Sequence, residues 1–352
     1  MAGKGREKKM VVSLIQEPHE RRRSIRIQAP LILIILIILI ALLSNPSMAH
    51  SPKISTGDVV IVPDAETSYA WYGLLGGPDE TDLYRISAEE GTELRISTSS
   101  PDPGTAPPFA VIGPGITTMD LLPPGTSIPE GYGSIVVPVP DIRQPPSYEP
   151  FTPMALYEGA SLSLPAPASG DYTVAVSGTE GRYILATGFL EAFTLAEWVL
   201  IPVMILSVRA WQGQSLVANL LPIIGAILIG AWWFHKRIPS ASWPWAWLPA
   251  VAGFAFIGSG ILVIIQMVLA GLRTGPVPSM LLTLLFAAIP VILGVLLVRI
   301  AAQTDSSPLY RERAAMAILG ILGLVFWAGL IVGPILAIAA SVMPGAGTSG
   351  AS

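Results

Sequence analysis

The sequence predicts a two-part membrane protein: an exported antiparallel β-sandwich followed by an α-helical transmembrane bundle. Three observations carry this expectation. Charged residues are 12% of the 352 and hydrophobic residues 52%, against about 25% charged in a typical soluble domain. The charge is unevenly placed, at +5 over residues 1–30, −12 over 51–190 and +3 over 191–352. Hydrophobic patterning also changes, from short alternating runs before residue 188 to long apolar stretches after it.

The amino-terminal head is basic and runs into an apolar block, Leu31 to Leu43, that is short for a bilayer crossing of about 20 residues. Ser47-Met48-Ala49 supplies a small-x-small pattern after Asn45-Pro46, so residues 1–49 read as a secretory signal peptide cleaved after Ala49, or as an uncleaved anchor. In both cases the head stays cytoplasmic and the chain from residue 50 is exported. Arg21-Arg22-Arg23 serves as the orientation signal beside that core.

Residues 50–188 form the acidic exported part. Strands are expected at Val59–Val62, Asp82–Ser87, Glu93–Ser97, Phe109–Ile112, Ser134–Val139, Ala160–Leu164, Tyr172–Ser177 and Tyr183–Thr187. Their alternation and the Gly/Pro turns between them are those of a sandwich. Residues 101–153 hold fourteen prolines. Proline removes a ladder donor, so this stretch reads as an elaborated loop with a buried strand or two.

Several of these residues fall in a familiar order: Asp82-Leu83-Tyr84, Glu90-Gly91-Thr92-Glu93-Leu94-Arg95-Ile96, Phe109 to Gly115, Gly170 to Gly178 and Gly181-Arg182-Tyr183. Over 76–188 the chain resembles the bacterial pre-peptidase C-terminal domain. That resemblance implies a jelly-roll-like sandwich acting as a binding or accessory module of an exported protein, not as a catalyst. The Pro-rich insertion departs from the family pattern. Asp79, Glu80 and Asp82 cluster after a Gly-Gly-Pro turn, with Asp64 and Glu66 upstream. Oxygen ligands on turns are what a structural calcium ion requires, but no EF-hand spacing is present and solvated acidic turns are the favoured reading of the cluster. No other cofactor is expected.

Four membrane spans are expected after the sandwich, at about 216–234, 248–272, 280–298 and 314–342 within a bundle over 216–343. Trp232 and Trp233 sit at a span end, where indoles favour the interface. Residues 189–215 contain a shorter apolar segment with Glu197 and Pro202, which reads as an interfacial or re-entrant helix anchored by Trp198 and Trp211. Charge supports that choice. If the segment does not span, Lys236, Arg237, Arg299, Arg311 and Arg313 fall inside and Arg209 and Arg273 outside, in keeping with the positive-inside rule. A fifth span would reverse the count. Gly329 and Gly333 form a Gly-x-x-x-Gly pair downstream of Gly320 and Gly323, fitting close helix packing within the chain or in a homo-oligomer. The tail, 344–352, reads as disordered.

The chain contains no cysteine and only three histidines, at 19, 50 and 235, which excludes disulfides, thiol nucleophiles and Cys-ligated metals. Gly258-Ser259-Gly260 is similar to the serine segment of rhomboid-like proteases, but no histidine sits on a neighbouring span to act as its base. No catalytic set is expected, so the chain does not read as an enzyme. The acidic exported part argues against nucleic acid, whose phosphates need Lys and Arg. The expectation is a multi-pass plasma-membrane protein of the cell envelope that displays a binding or scaffold domain. Its partners would be the lipid bilayer and an envelope protein or glycan. The alternative is an accessory or receptor subunit of a transporter or channel.

Overall fold

The structure, a computed structural model, describes residues 51–55, 59–141, 144–241, 243–304 and 308–343. The signal or anchor expected over 1–49 and the tail 344–352 lie outside the described residues. Eleven strands come first: β1 (Ser51–Ile54), β2 (Val59–Val62), β3 (Tyr69–Leu75), β4 (Thr81–Ala88), β5 (Glu93–Ser100), β6 (Phe109–Pro114), β7 (Tyr132–Val137), β8 (Ser147–Glu149), β9 (Met154–Pro165), β10 (Gly170–Ser177) and β11 (Gly181–Thr187). They make two sheets, ordered β1-β3-β11-β5-β9-β8 and β2-β4-β10-β6-β7. The expectation of a wholly antiparallel sandwich is corrected at one margin. β1 pairs parallel with β3, and β2 parallel with β4. The first four strands alternate between the two sheets, so each neighbouring pair is joined by a crossover rather than a hairpin, and a crossover leaves its strands parallel.

Alternation dictates the sandwich core. Tyr84 and Ile86 of β4, Leu94 and Ile96 of β5 and Tyr172, Val174 and Val176 of β10 all point inward and are fully or almost fully buried. Two strand glycines make room for large rings. Gly73 lies opposite Tyr183 on β11, and a Cβ there would stand 2.3 Å from the ring. Gly113 faces Tyr172 in the same way, at 2.1 Å. An aromatic ring laid over a strand glycine covers backbone that glycine leaves bare.

Alternation misses β1, β3 and β8, of which β3 is the longest. Its sequence, Tyr69-Ala70-Trp71-Tyr72-Gly73-Leu74-Leu75, is nearly continuous in apolar residues because both faces are covered. Tyr69, Trp71 and Leu75 enter the sandwich core, while Ala70 and Tyr72 face outward against Val208 and Trp211. An apolar run of this length has no period by which to identify it. The Pro-rich stretch contributes β6, β7 and β8, with β6 in the interior of the second sheet.

Six helices follow: α1 (Leu195–Trp211), α2 (Leu216–Arg237), α3 (Trp247–Thr274), α4 (Met280–Gln303), α5 (Tyr310–Val325) and α6 (Val332–Val342). α1 opens on a capping box between Thr194 and Glu197. Glu197 also pairs with Lys53 at 2.8 Å. The helix lies along the outer face of the first sheet, with Val208 and Trp211 packed on it and Leu195, Leu200 and Val203 left exposed on other faces.

α2, α3 and α4 are long and apolar enough to cross a membrane, matching three of the four expected spans. The fourth, 314–342, is corrected. It breaks at Phe326–Ile331, where Trp327, Gly329 and Leu330 take left-handed φ of 54°, 66° and 57°. α5 and α6 then pack antiparallel, with Gly320 against Ile338, Gly323 against Pro334, and Arg313 donating to the carbonyls of Ser341 and Met343. Length was the available warning: 29 residues of helix extend about 44 Å at 1.5 Å per residue, well beyond a hydrocarbon core of about 30 Å. Gly329 and Gly333 therefore do not share a helix. Pro334 sits in the first turn of α6, where its missing N–H costs no hydrogen bond, and so it opens a helix instead of kinking one.

α3 is the hub, and small residues let its neighbours approach. Gly258 meets Ile223 and Pro222 of α2, while Gly253 and Gly260 meet Gly294 and Ala287 of α4. Ser259, between the two glycines, donates to the carbonyl of Phe256 and accepts from the N–H of Gly329 at 2.8 Å. The Gly258-Ser259-Gly260 segment is thus a packing device that also pins the α5–α6 turn.

Candidate functional site

The sandwich is seated on the helices by named contacts. Tyr148 donates to Thr283 at 2.8 Å, and Thr283 donates to the carbonyl of Pro150. Phe151 meets Phe286 edge-on. Arg273, at the end of α3, donates to the carbonyl of Pro101. Arg182 of β11 donates to the carbonyl of Trp211, whose indole N–H donates to the carbonyl of Gly73. The start of α2, the end of α3 and the start of α4 therefore face the sandwich. Lys236, Arg237 and Arg299 belong to the opposite ends of these helices, and Arg311 and Arg313 open α5 just beyond α4.

At this junction lies a cavity of about 830 Å³, walled by the sandwich, the last turn of α1, the start of α2 and the second half of α3. One wall is a closed amide network. Gln266 Nε2 donates to Asn219 Oδ1 at 2.9 Å and to Gln214 Oε1 at 3.0 Å. Asn219 Nδ2 donates to Gln214 Oε1, and Gln214 Nε2 donates to Gln212 Oε1. Arg209 closes the chain, its Nη1 donating to Gln212 Oε1 and to the carbonyl of Pro153. The rest of the lining is largely apolar and includes Leu221, Leu262, Ile265 and Leu269.

Arg209 is 3% exposed, and burial lowers its guanidinium to about 10, offset in part by Tyr72 and Tyr148 nearby. Among the described residues no carboxylate lies within ion-pairing distance of it. The cavity's carboxylate, Asp102, is paired with Arg182 at 3.5 Å. The site therefore combines a cationic, amide-lined part with apolar side chains.

Glu149 sits beside this junction on β8. Burial raises its carboxyl to about 7, against the N–H donors of Phe151 and Thr152, and Glu158 and Glu191 push it the same way. A carboxyl raised above its unfolded value of about 4.3 stabilises the fold fully below that pH and loses the contribution as pH rises through about 7. The expected result is a stability that falls on the order of 2 kcal/mol between pH 5 and pH 8 from this group. Glu149→Gln removes that dependence. Thermal melts of the full chain in detergent at both pH values check it: the variant should exceed wild type at pH 8 and match it at pH 5.

The residues expected to hold calcium do not converge. Glu80 turns back to accept from the N–H of Gly76, and Asp82 accepts from the Tyr183 hydroxyl inside the sandwich. Among the described residues no three acidic or imidazole groups come together around one point. Trp198 donates to the carbonyl of Val325 and packs on Trp327, so it holds the hairpin turn to the start of α1. Trp211 joins α1 to the sandwich. Trp232 and Trp233 stand exposed near the end of α2. Gly329 and Gly333 both receive the ring of Phe256, so their smallness serves packing within the chain.

Sequence reasoning sees Asn219, Gln266, Arg209 and Arg273 one at a time, as isolated polar groups in apolar surroundings. The signal that links them is their shared level, at the sandwich end of three consecutive helices. No family model matches the chain, and no curated protein matches it.

Proposed function

We propose that this chain is a membrane-anchored binding protein of the cell envelope. In this reading it displays the β-sandwich on the extracytoplasmic side of the plasma membrane and takes its ligand where sandwich and helices meet. The observation that carries the reading is the junctional cavity, whose walls come from both halves of the chain. Lys236, Arg237, Arg299, Arg311 and Arg313 gather at the far end of the bundle, against Arg209 and Arg273 near the sandwich. That distribution supports a cytoplasmic far end. The polar groups lining the cavity are mainly amides and guanidiniums, which bind and orient, and no enzymatic step is proposed. The order of Asp82, Tyr84, Gly181 and Tyr183 supports kinship of the sandwich with pre-peptidase C-terminal domains. Met119 and Leu121 stand exposed on its Pro-rich loop, at 75% and 95%, as surface for an envelope protein or glycan.

Sided labelling tests the arrangement. The chain has no cysteine, so single substitutions report cleanly. In intact cells a membrane-impermeant maleimide should label Ser279→Cys, at the sandwich end, and spare Lys236→Cys. The opposite pattern would overturn the reading. The α5–α6 hairpin favours a second reading, an accessory subunit of a transporter, because discontinuous helices there line substrate paths. A stoichiometric transport protein co-purifying in mild detergent would favour that reading over the first.

A further inference from the structure

We infer that the junctional cavity binds a single membrane amphiphile with an anionic headgroup, the headgroup at Arg209 and the alkyl chain in the slot between α2 and α3. The inference rests on the proposed binding role and adds the chemistry of the ligand.

Three features point to it. First, the cavity joins two unlike surfaces. Its polar lining is the cluster of Arg209, Gln214, Asn219 and Gln266, and its apolar lining includes Leu221, Ile265 and Leu269, which are 58%, 40% and 50% exposed. Those side chains lie on helices long enough to span a bilayer, so the slot opens where lipid chains lie. Second, the polar lining is cationic. Arg209 and Arg273 line it, Arg182 neutralises Asp102, and neither lining arginine has a carboxylate within 4 Å among the described residues. Third, Arg209 is buried, yet among the described residues only its Nη1 has hydrogen-bond acceptors, both of them neutral. A buried charge left without a counter-charge is costly, and a phosphate or carboxylate in the cavity supplies that counter-charge and acceptors for the remaining guanidinium N–H groups. The amide N–H groups of Gln214, Asn219 and Gln266 are all engaged within the protein, which leaves the headgroup to the arginines. An amphiphile satisfies both linings together, whereas a free anion uses one and a plain hydrocarbon the other.

The test is native mass spectrometry of the full chain, purified in mild detergent and delipidated, then titrated with phosphatidylglycerol or with phosphatidylcholine of the same acyl chains. The expected result is one bound phosphatidylglycerol, held about tenfold more tightly than phosphatidylcholine, the equivalent of about 1.4 kcal/mol. Arg209→Gln keeps a donor for the Pro153 carbonyl and removes the charge, and should abolish the preference. Ala218→Trp, at an exposed position on the cavity wall, leaves Arg209 in place and fills the space. It should weaken both lipids about tenfold, and keeps the test decisive should Arg209→Gln fail to fold. Millimolar inorganic phosphate should not displace the lipid. Equal affinity for the two lipids, or unchanged phosphatidylglycerol binding by Ala218→Trp, would overturn the inference. So would displacement by phosphate, which would assign the site to a free anion. If lipid binding fails while Ser279→Cys is labelled and Lys236→Cys is protected, only the ligand assignment falls; the reversed labelling removes the binding role itself.

Discussion

Phe256→Ala is expected to loosen the α5–α6 hairpin selectively, at a cost of about 2–3 kcal/mol, at or just below the low end of the range of about 3–5 kcal/mol for a buried Phe→Ala change. The ring is fully buried, and three glycines of the hairpin close on it. A Cβ at Gly323 would stand 2.4 Å from it, at Gly329 2.7 Å and at Gly333 2.8 Å. Three glycines from both arms and the turn of the hairpin thus close on one side chain of α3. The estimate sits low because lipid, unlike water, solvates apolar surface well, so what is lost is dispersion and close packing. Ser259→Ala removes the hydroxyl that the Gly329 N–H donates to and should cost about 1 kcal/mol. Hydrogen exchange in detergent is the measurement. Amides of α5 and α6 should exchange faster by about 30-fold or more in Phe256→Ala, while those of the sandwich stay unchanged. Unchanged exchange in α5 and α6 would show that Phe256 does not hold the hairpin.

That hairpin also marks where the sequence stopped being informative. Hydropathy finds apolar helix in α2, α3 and α4 because lipid imposes one requirement along their whole length. The same measure cannot separate one span from two half-helices, since both are continuously apolar between Ala314 and Val342. What separates them is three left-handed residues at Trp327, Gly329 and Leu330. Two of the three are bulky and carry no local preference for that backbone; tertiary contacts hold them there. The sandwich was legible for the opposite reason. Strands such as β4 and β5 keep one face wet and show alternation. β3 has none because α1 covers its outer face, and that cover is visible only once the fold is known. The junctional cavity was half legible. Each polar residue is conspicuous in an apolar segment, but their meeting depends on α1 folding back along the sandwich, which sets Arg209 and Gln212 beside Asn219 and Gln266.

Gly73→Val is expected to be among the most damaging single substitutions in the sandwich, at about 3–5 kcal/mol from overpacking and broken buried hydrogen bonds together. The reason lies in what fixes the Tyr183 ring. Its hydroxyl donates to Asp82 Oδ2 and lies 2.8 Å from the Tyr84 hydroxyl, and both tyrosine side chains are fully buried. A side chain at residue 73 would enter the ring, with 2.3 Å between its Cβ and the nearest ring carbon. The ring can yield only by giving up both hydroxyl contacts, so a steric problem on β3 becomes a polar one between β4 and β11. Asp82, Tyr84 and Tyr183 are also among the residues on which the sequence resemblance rests, so this cluster gives that pattern a physical basis. A double-mutant cycle separates the causes. Tyr183→Phe keeps the ring and loses the hydroxyl, and should cost about 2 kcal/mol. Gly73→Ala combined with Tyr183→Ala removes the clash together with the ring. Its cost should fall below the sum of the two single changes by about 2 kcal/mol. Denaturation of the full chain followed by the β-sheet circular-dichroism signal reads all four corners. Strict additivity would mean that the glycine is not kept small by the ring it faces.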